Sequence, residues 1–113
     1  MTMKLYSVRV PRSVEDTEYL IVAKNADAAA EAYVQGIIDD ELSVDAGEVA
    51  EAGELYVDLV NPAIEGPART LSWGSTELVA RSLAPIEKAK LSLSGIDVWQ
   101  KHLEDEGIEP GGL

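Results

Sequence analysis

Residues 4–38 read KLYSVRVPRSVEDTEYLIVAKNADAAAEAYVQGII, and the order of patterns within them sets the fold. Over 4–10, Tyr6, Val8 and Val10 fall on one side and Leu5, Ser7 and Arg9 on the other, with Pro11 next. A two-residue period predicts a half-buried strand, and it ends at the proline, which has no N–H for a ladder. A polar connection leads into 18–24, EYLIVAK, β-branched and almost continuously apolar as a central strand is. Together they predict an antiparallel hairpin. Asn25 then offers a side-chain oxygen to the first turn of a helix over 26–39, and Asp27 faces its positive end. Ala30, Tyr33, Val34, Ile37 and Ile38 recur along it at three- and four-residue spacings, an apolar stripe to lay on a sheet.

Beyond this core the pattern continues in shorter pieces. Residues 43–52 predict a short helix, with Asp45 and Glu48 three apart as a capping pair and Gly53 as its stop. Residues 54–60 alternate Leu55, Val57 and Leu59 against Tyr56, Asp58 and Val60, a strand closed by Asn61-Pro62, and 62–67 read as a loop. A hairpin over 69–73 and 76–81 turns at Gly74-Ser75, with a helix over 76–83 as the competing assignment. Pro85 opens a short helix over 85–90. Ser94 caps a last helix over 95–106, with Ile96, Trp99 and Leu103 inward and Gly107 at its end, and 108–113 form a mobile Pro/Gly-rich tail. There is no repeat and no dividing linker. The expectation is one compact domain over 1–113, of class α+β, with two to four helices on an antiparallel sheet of four to five strands.

Composition narrows function by exclusion. The chain has 113 residues, 46% of them apolar, and its nine Lys and Arg face 21 Asp and Glu for a net charge of −12. That charge opposes direct contact with nucleic acid or an anionic membrane. With no cysteine there is no disulfide, thiolate metal site or thiol nucleophile. No apolar run approaches the length of a bilayer span, and the charged, alternating first ten residues do not read as a signal peptide, so a cytoplasmic location is expected. The charge is unevenly placed. Residues 25–68 hold eleven acids and no base, whereas 1–24 are net +1 and 69–113 net −2.

The candidate site follows from that segregation. Asp39, Asp40 and Glu41 sit at the C-terminal end of the first helix, where the macrodipole already disfavours negative charge, and Glu104, Asp105 and Glu106 repeat this at the last helix. Local rules broken twice without evident gain are a mark of functional surface. Asp45, Glu48, Glu51 and Glu54 continue at three-residue spacing, close enough to repel one another. Tyr56 beside Asp58 supplies an amphipathic anchor if that strand face is open, and Trp73 is a second aromatic candidate. A solvated face that serves solubility is the plain alternative for the acids, as core packing is for the aromatics.

Catalytic and metal motifs are missing. Residues 40–51 put Asp45 where an EF-hand loop needs glycine, so no dedicated metal site is expected. His102, the sole histidine, is accounted for by its place near a helix C-terminus, and no G-x-S-x-G elbow accompanies it. Neither glycine-rich phosphate motif occurs, so no cofactor is expected, and Lys4, Arg9 and Arg12 form at most a small basic patch.

The opening MKLYSVRVPRSVEDTEYLIVAKNADAAAEAYVQGI, residues 3–37, resembles in plan small phage- and plasmid-encoded proteins of the anti-CRISPR type. The likeness covers about residues 3–41: a first strand just after Met, a charged loop, a second strand ending in Val-Ala and an alanine-rich helix. It implies an inhibitor that occupies a basic surface of a type I CRISPR surveillance complex and blocks target DNA; no site residue carries over by position. The residues themselves support a non-enzymatic acidic protein with a basic, nucleic-acid-binding partner. An immunity protein or antitoxin that neutralises a basic nuclease toxin shares the same electrostatics, and a small hydrolase or metal-dependent enzyme is the third alternative.

Overall fold

The computed structural model describes residues 2–11, 17–71 and 85–107. Strand β1 (Thr2–Arg9) pairs antiparallel with β2 (Tyr19–Ala23), as the sequence predicts, and the register places Tyr6 opposite Ile21 and Val8 opposite Tyr19. Helix α1 (Ala26–Ile38) follows at once. The Asn25 side chain accepts the Ala28 N–H at 2.8 Å, satisfying one of the donors a helix start leaves open. Helix α2 (Ala46–Ala52) is shorter than expected and is capped by Asp45, which accepts the Gly47 N–H at 2.9 Å. Gly53 ends it with φ +71°, a left-handed geometry that favours glycine.

Strand β3 (Glu54–Glu65) is longer than the sequence suggests, because it runs through Asn61-Pro62 instead of stopping there. Its register against β1 slips between Leu5 and Tyr6 and again between Met3 and Leu5, and such an irregularity admits a proline that a regular ladder would exclude. Strand β4 (Arg69–Thr70) pairs with β2, and β5 (Lys90–Ser92) pairs with the start of β3. The sheet order is β4-β2-β1-β3-β5, all antiparallel.

Residues 85–90 are extended, not helical. The Leu59 N–H donates to the Glu87 carbonyl at 2.8 Å and the Val57 N–H to that of Ala89 at 2.9 Å. These bonds satisfy the outer backbone edge of a strand whose Val57 and Leu59 are buried, a need that outweighs the helix-start preference of Pro85. The last helix also begins later than Ser94. Leu93–Gly95 is a 3-10 turn capped by Ser92, whose Oγ lies 2.8 Å from that of Ser94, and α3 (Asp97–Asp105) starts without a side-chain cap. The proposed hairpin turn at Gly74-Ser75, its second arm over 76–81 and the tail over 108–113 lie outside the described residues.

The three helices of the described residues share one face of the sheet. Tyr6, Val8, Ile21, Leu55 and Val57 from the strands form one buried cluster with Ala30, Tyr33, Val34 and Ile37 of α1, Val49 of α2, and Trp99 and Leu103 of α3. Tyr33 is fully buried; its hydroxyl donates to the Thr17 carbonyl at 2.7 Å, and its ring meets that of Tyr19 edge-on at 6.2 Å. The other face is buried too, around Leu5, Leu20, Val22, Val60 and Leu71, so β1 is a doubly covered strand and not the half-buried one its alternation suggests.

Candidate functional site

With the helices on one face, the charge divides by layer. Residues 25–53 and 93–107, which hold the three described helices, carry twelve carboxylates and one lysine, Lys101. The described strands and their flanks carry six bases and five acids. Almost the whole net charge thus lies on the helical layer.

The chain turn after α1 fixes its first acidic group. Asp40 takes φ +59°, the Asp40 N–H donates to Ile37 at 3.2 Å and the Glu41 N–H to Gly36 at 2.8 Å, which together make a Schellman ending. Gly36 allows Leu42 to fold back over the helix, since a Cβ there would stand 2.8 Å from Leu42 Cγ. The Ser43 N–H donates to the Tyr19 hydroxyl at 3.0 Å and ties this turn to β2. Asp39, Asp40 and Glu41 are all exposed, and the Gln35 amide donates to Asp39 at 3.0 Å.

Asp45, Glu48 and Glu51 are exposed on α2, while Glu54, after the Gly53 stop, starts the sheet and is half-buried. The three-residue run is therefore three exposed groups at one short helix, with a fourth beyond it in β3. Glu104, Asp105 and Glu106 are exposed at the end of α3. Asp105 lines a groove between α1 and α3 with Gln35, Ile38, Val98, Lys101 and His102. Gln35 joins the two acidic helix ends, since it lines this groove and holds Asp39.

Two predicted partner residues belong elsewhere. Asp58 is 2% exposed, on the sheet face away from the helices, and its Oδ2 lies 2.9 Å from Arg9 Nη1. A carboxylate held this way is no part of the exposed acidic layer; it lines a cleft on the opposite face. Tyr56 is half-buried in the same region, with the Arg9 guanidinium 5.0 Å and the Lys90 ammonium 5.4 Å from its ring centre, so it is a seat for cations and not an open anchor. Trp73 lies outside the described residues.

The sequence reasoning missed the cleft around this pair. Arg9, Tyr56, Asp58, Lys88, Ala89 and Lys90 enclose about 380 Å³. Its signal was legible in one place: Lys88 and Lys90 are two apart, which on a strand sets them on one face. A helix assignment for 85–90 hid it.

Two tyrosines have shifted acidities. Burial, chiefly, pushes the Tyr33 hydroxyl far above its ordinary value; burial and then the nearby Glu87 charge raise that of Tyr6. His102 packs at 5.6 Å from the Trp99 ring. Among the described residues, no group of three or more His, Asp or Glu is placed to hold a metal, and no helix is long and apolar enough to cross a membrane. Comparison with protein-family models, curated proteins and solved structures finds no match.

Proposed function

We propose that the protein is a non-enzymatic acidic inhibitor that covers a basic, nucleic-acid-binding surface of another protein with its helical layer. The observation that supports this is the segregation of twelve carboxylates against one lysine on that layer, over a sheet whose described residues nearly balance. Nucleic-acid-binding surfaces are built of Lys and Arg to meet about one phosphate charge per 1.7 Å of duplex axis. Carboxylates held on helix ends enter the same channel and release its bound anions. Association is then fast and steeply salt-dependent. The most concrete partner is the DNA-binding channel of a type I CRISPR surveillance complex, which the plan of residues 3–41 suggests.

Capture from host lysate at low salt tests this reading. Recovery of a multi-subunit ribonucleoprotein that elutes as salt rises supports it in full. Recovery of one small basic nuclease keeps the electrostatic mechanism and replaces the partner by a toxin. A partner whose retention is indifferent to salt overturns it.

A further inference from the structure

The cleft beneath β5 runs against the character of the molecule. In a chain with nine Lys and Arg, three of them, Arg9, Lys88 and Lys90, line this one cleft. Sheet register assembles it. Arg9 stands opposite Tyr56 and Tyr56 opposite Lys90, a row across β1, β3 and β5. The next row joins Ser7 to Asp58, and since Leu59 bridges Glu87, the same register brings Lys88 to its end. The Ser7 hydroxyl donates to Glu18 at 2.6 Å, so that carboxylate is engaged outside the cleft lining.

We propose that this cleft binds a small dianion that also carries a hydrogen-bond donor, of the class of a phosphate monoester with a neighbouring hydroxyl. Three cations against one carboxylate leave a local excess of two positive charges, which a dianion neutralises. Among the described residues, no carboxylate forms an ion pair with Lys88 or Lys90. Asp58 supplies the second half of the recognition. Its Oδ2 is buried and has no directed hydrogen bond, although Arg9 Nη1 is 2.9 Å away, because that contact is an ion pair off the hydrogen-bonding axis. A ligand hydroxyl would give this oxygen the donor it lacks. Tyr56 already carries Arg9 and Lys90 against its ring, so it positions the cations instead of stacking a base. The size suits a metabolite: about 380 Å³ lies at the small end of ligand sites. An extended polyanion would also meet the field of the acidic layer, which a small ion escapes beyond a screening length of about 8 Å.

Sugar phosphates and nucleoside monophosphates share this chemistry, and the probes separate them. The full chain, labelled with nitrogen-15, is titrated with inorganic phosphate, ribose, ribose 5-phosphate and adenosine monophosphate while backbone amide shifts are followed. Ribose 5-phosphate is expected to move the amides of Ser7, Arg9, Tyr56, Asp58, Lys88 and Lys90 saturably. It should bind about tenfold more tightly than inorganic phosphate, through the Asp58 bond. Ribose alone should not bind. Tighter binding of adenosine monophosphate supports the proposal with a nucleotide as ligand; equal or weaker binding supports it with a sugar phosphate. Lys88→Gln with Lys90→Gln changes two exposed side chains and should abolish the shifts in a chain that remains folded. The proposal is overturned by an absence of saturable shifts up to about 10 mM, by shifts that persist in the double lysine variant, or by inorganic phosphate binding as tightly as ribose 5-phosphate. None of these outcomes bears on the inhibitor reading, which uses the opposite layer.

Discussion

Asp40 occupies a backbone geometry, φ +59°, that glycine adopts without strain, at a helix end where its charge opposes the macrodipole. Asp40→Gly should therefore stabilise the fold by about 0.5–1 kcal/mol, read as a rise in the thermal midpoint. If the acidic layer is the binding face, the same substitution weakens partner binding; a residue that costs stability and serves recognition behaves this way. Tyr33 shows the reverse economy. Its hydroxyl satisfies the Thr17 carbonyl inside the core, and Tyr33→Phe should lose about 1 kcal/mol at neutral pH. The pH dependence has a definite sign. Because the folded-state pKa is raised above its ordinary value of 10.0, the unfolded chain gives up the proton first as pH climbs. The stability held by neutral Tyr33 is thus complete below about pH 10 and falls above it. Denaturant melts at pH 9 and at higher pH should show this loss in the parent and a smaller one in Tyr33→Phe.

Among the elements, β1, β2 and α1 were legible because each is carried by a strong local pattern: alternation at Tyr6, Val8 and Val10, a continuous apolar run at Leu20 to Val22 that includes β-branched Ile21 and Val22, and a stripe through Tyr33 and Ile37. The Asn25 cap was legible for the same local reason. A thirteen-residue, alanine-rich helix is marginal in isolation, so its start matters. Asn25→Ala should cost about 1 kcal/mol and lower amide-exchange protection in the first turn of α1 more than in β1. What stayed hidden depends on partners distant in sequence. Residues 88–91 alternate too, yet Pro85 invites a helix, and only the unsatisfied edge of β3 decides for the extended form. Strand β3 passes Pro62 because a register slip on β1 admits it, which the local dipeptide cannot reveal. Asp58 misled for a related reason: alternation marks which residues share a face but not that both faces are covered.

For the molecule as a whole, the contiguity of 25–53 makes the acidic layer readable in the order of residues, since one stretch of chain supplies two of its helices. The last helix joins it only through the fold, which packs α3 against α1 and brings Asp105 to the groove shared with Gln35. Twelve carboxylates on one layer repel one another, and added salt should screen that repulsion. Between about 20 mM and about 300 mM sodium chloride the stability should rise by about 1 kcal/mol, a shift of about 4 °C for a domain of this size. The neutralised variant Asp39→Asn, Asp40→Asn, Glu41→Gln should respond less.

Displacement of duplex DNA from a purified type I surveillance complex tests the central claim most directly. The protein is predicted to release the DNA at low salt, to lose potency steeply as salt rises, and to lose it as well on reversal of Asp39, Asp40 and Glu41 to lysine, with the double Lys88→Gln, Lys90→Gln variant fully active. DNA that stays bound at saturating protein, or equal release by the reversed variant, would contradict the assignment of the helical layer as the inhibitory face.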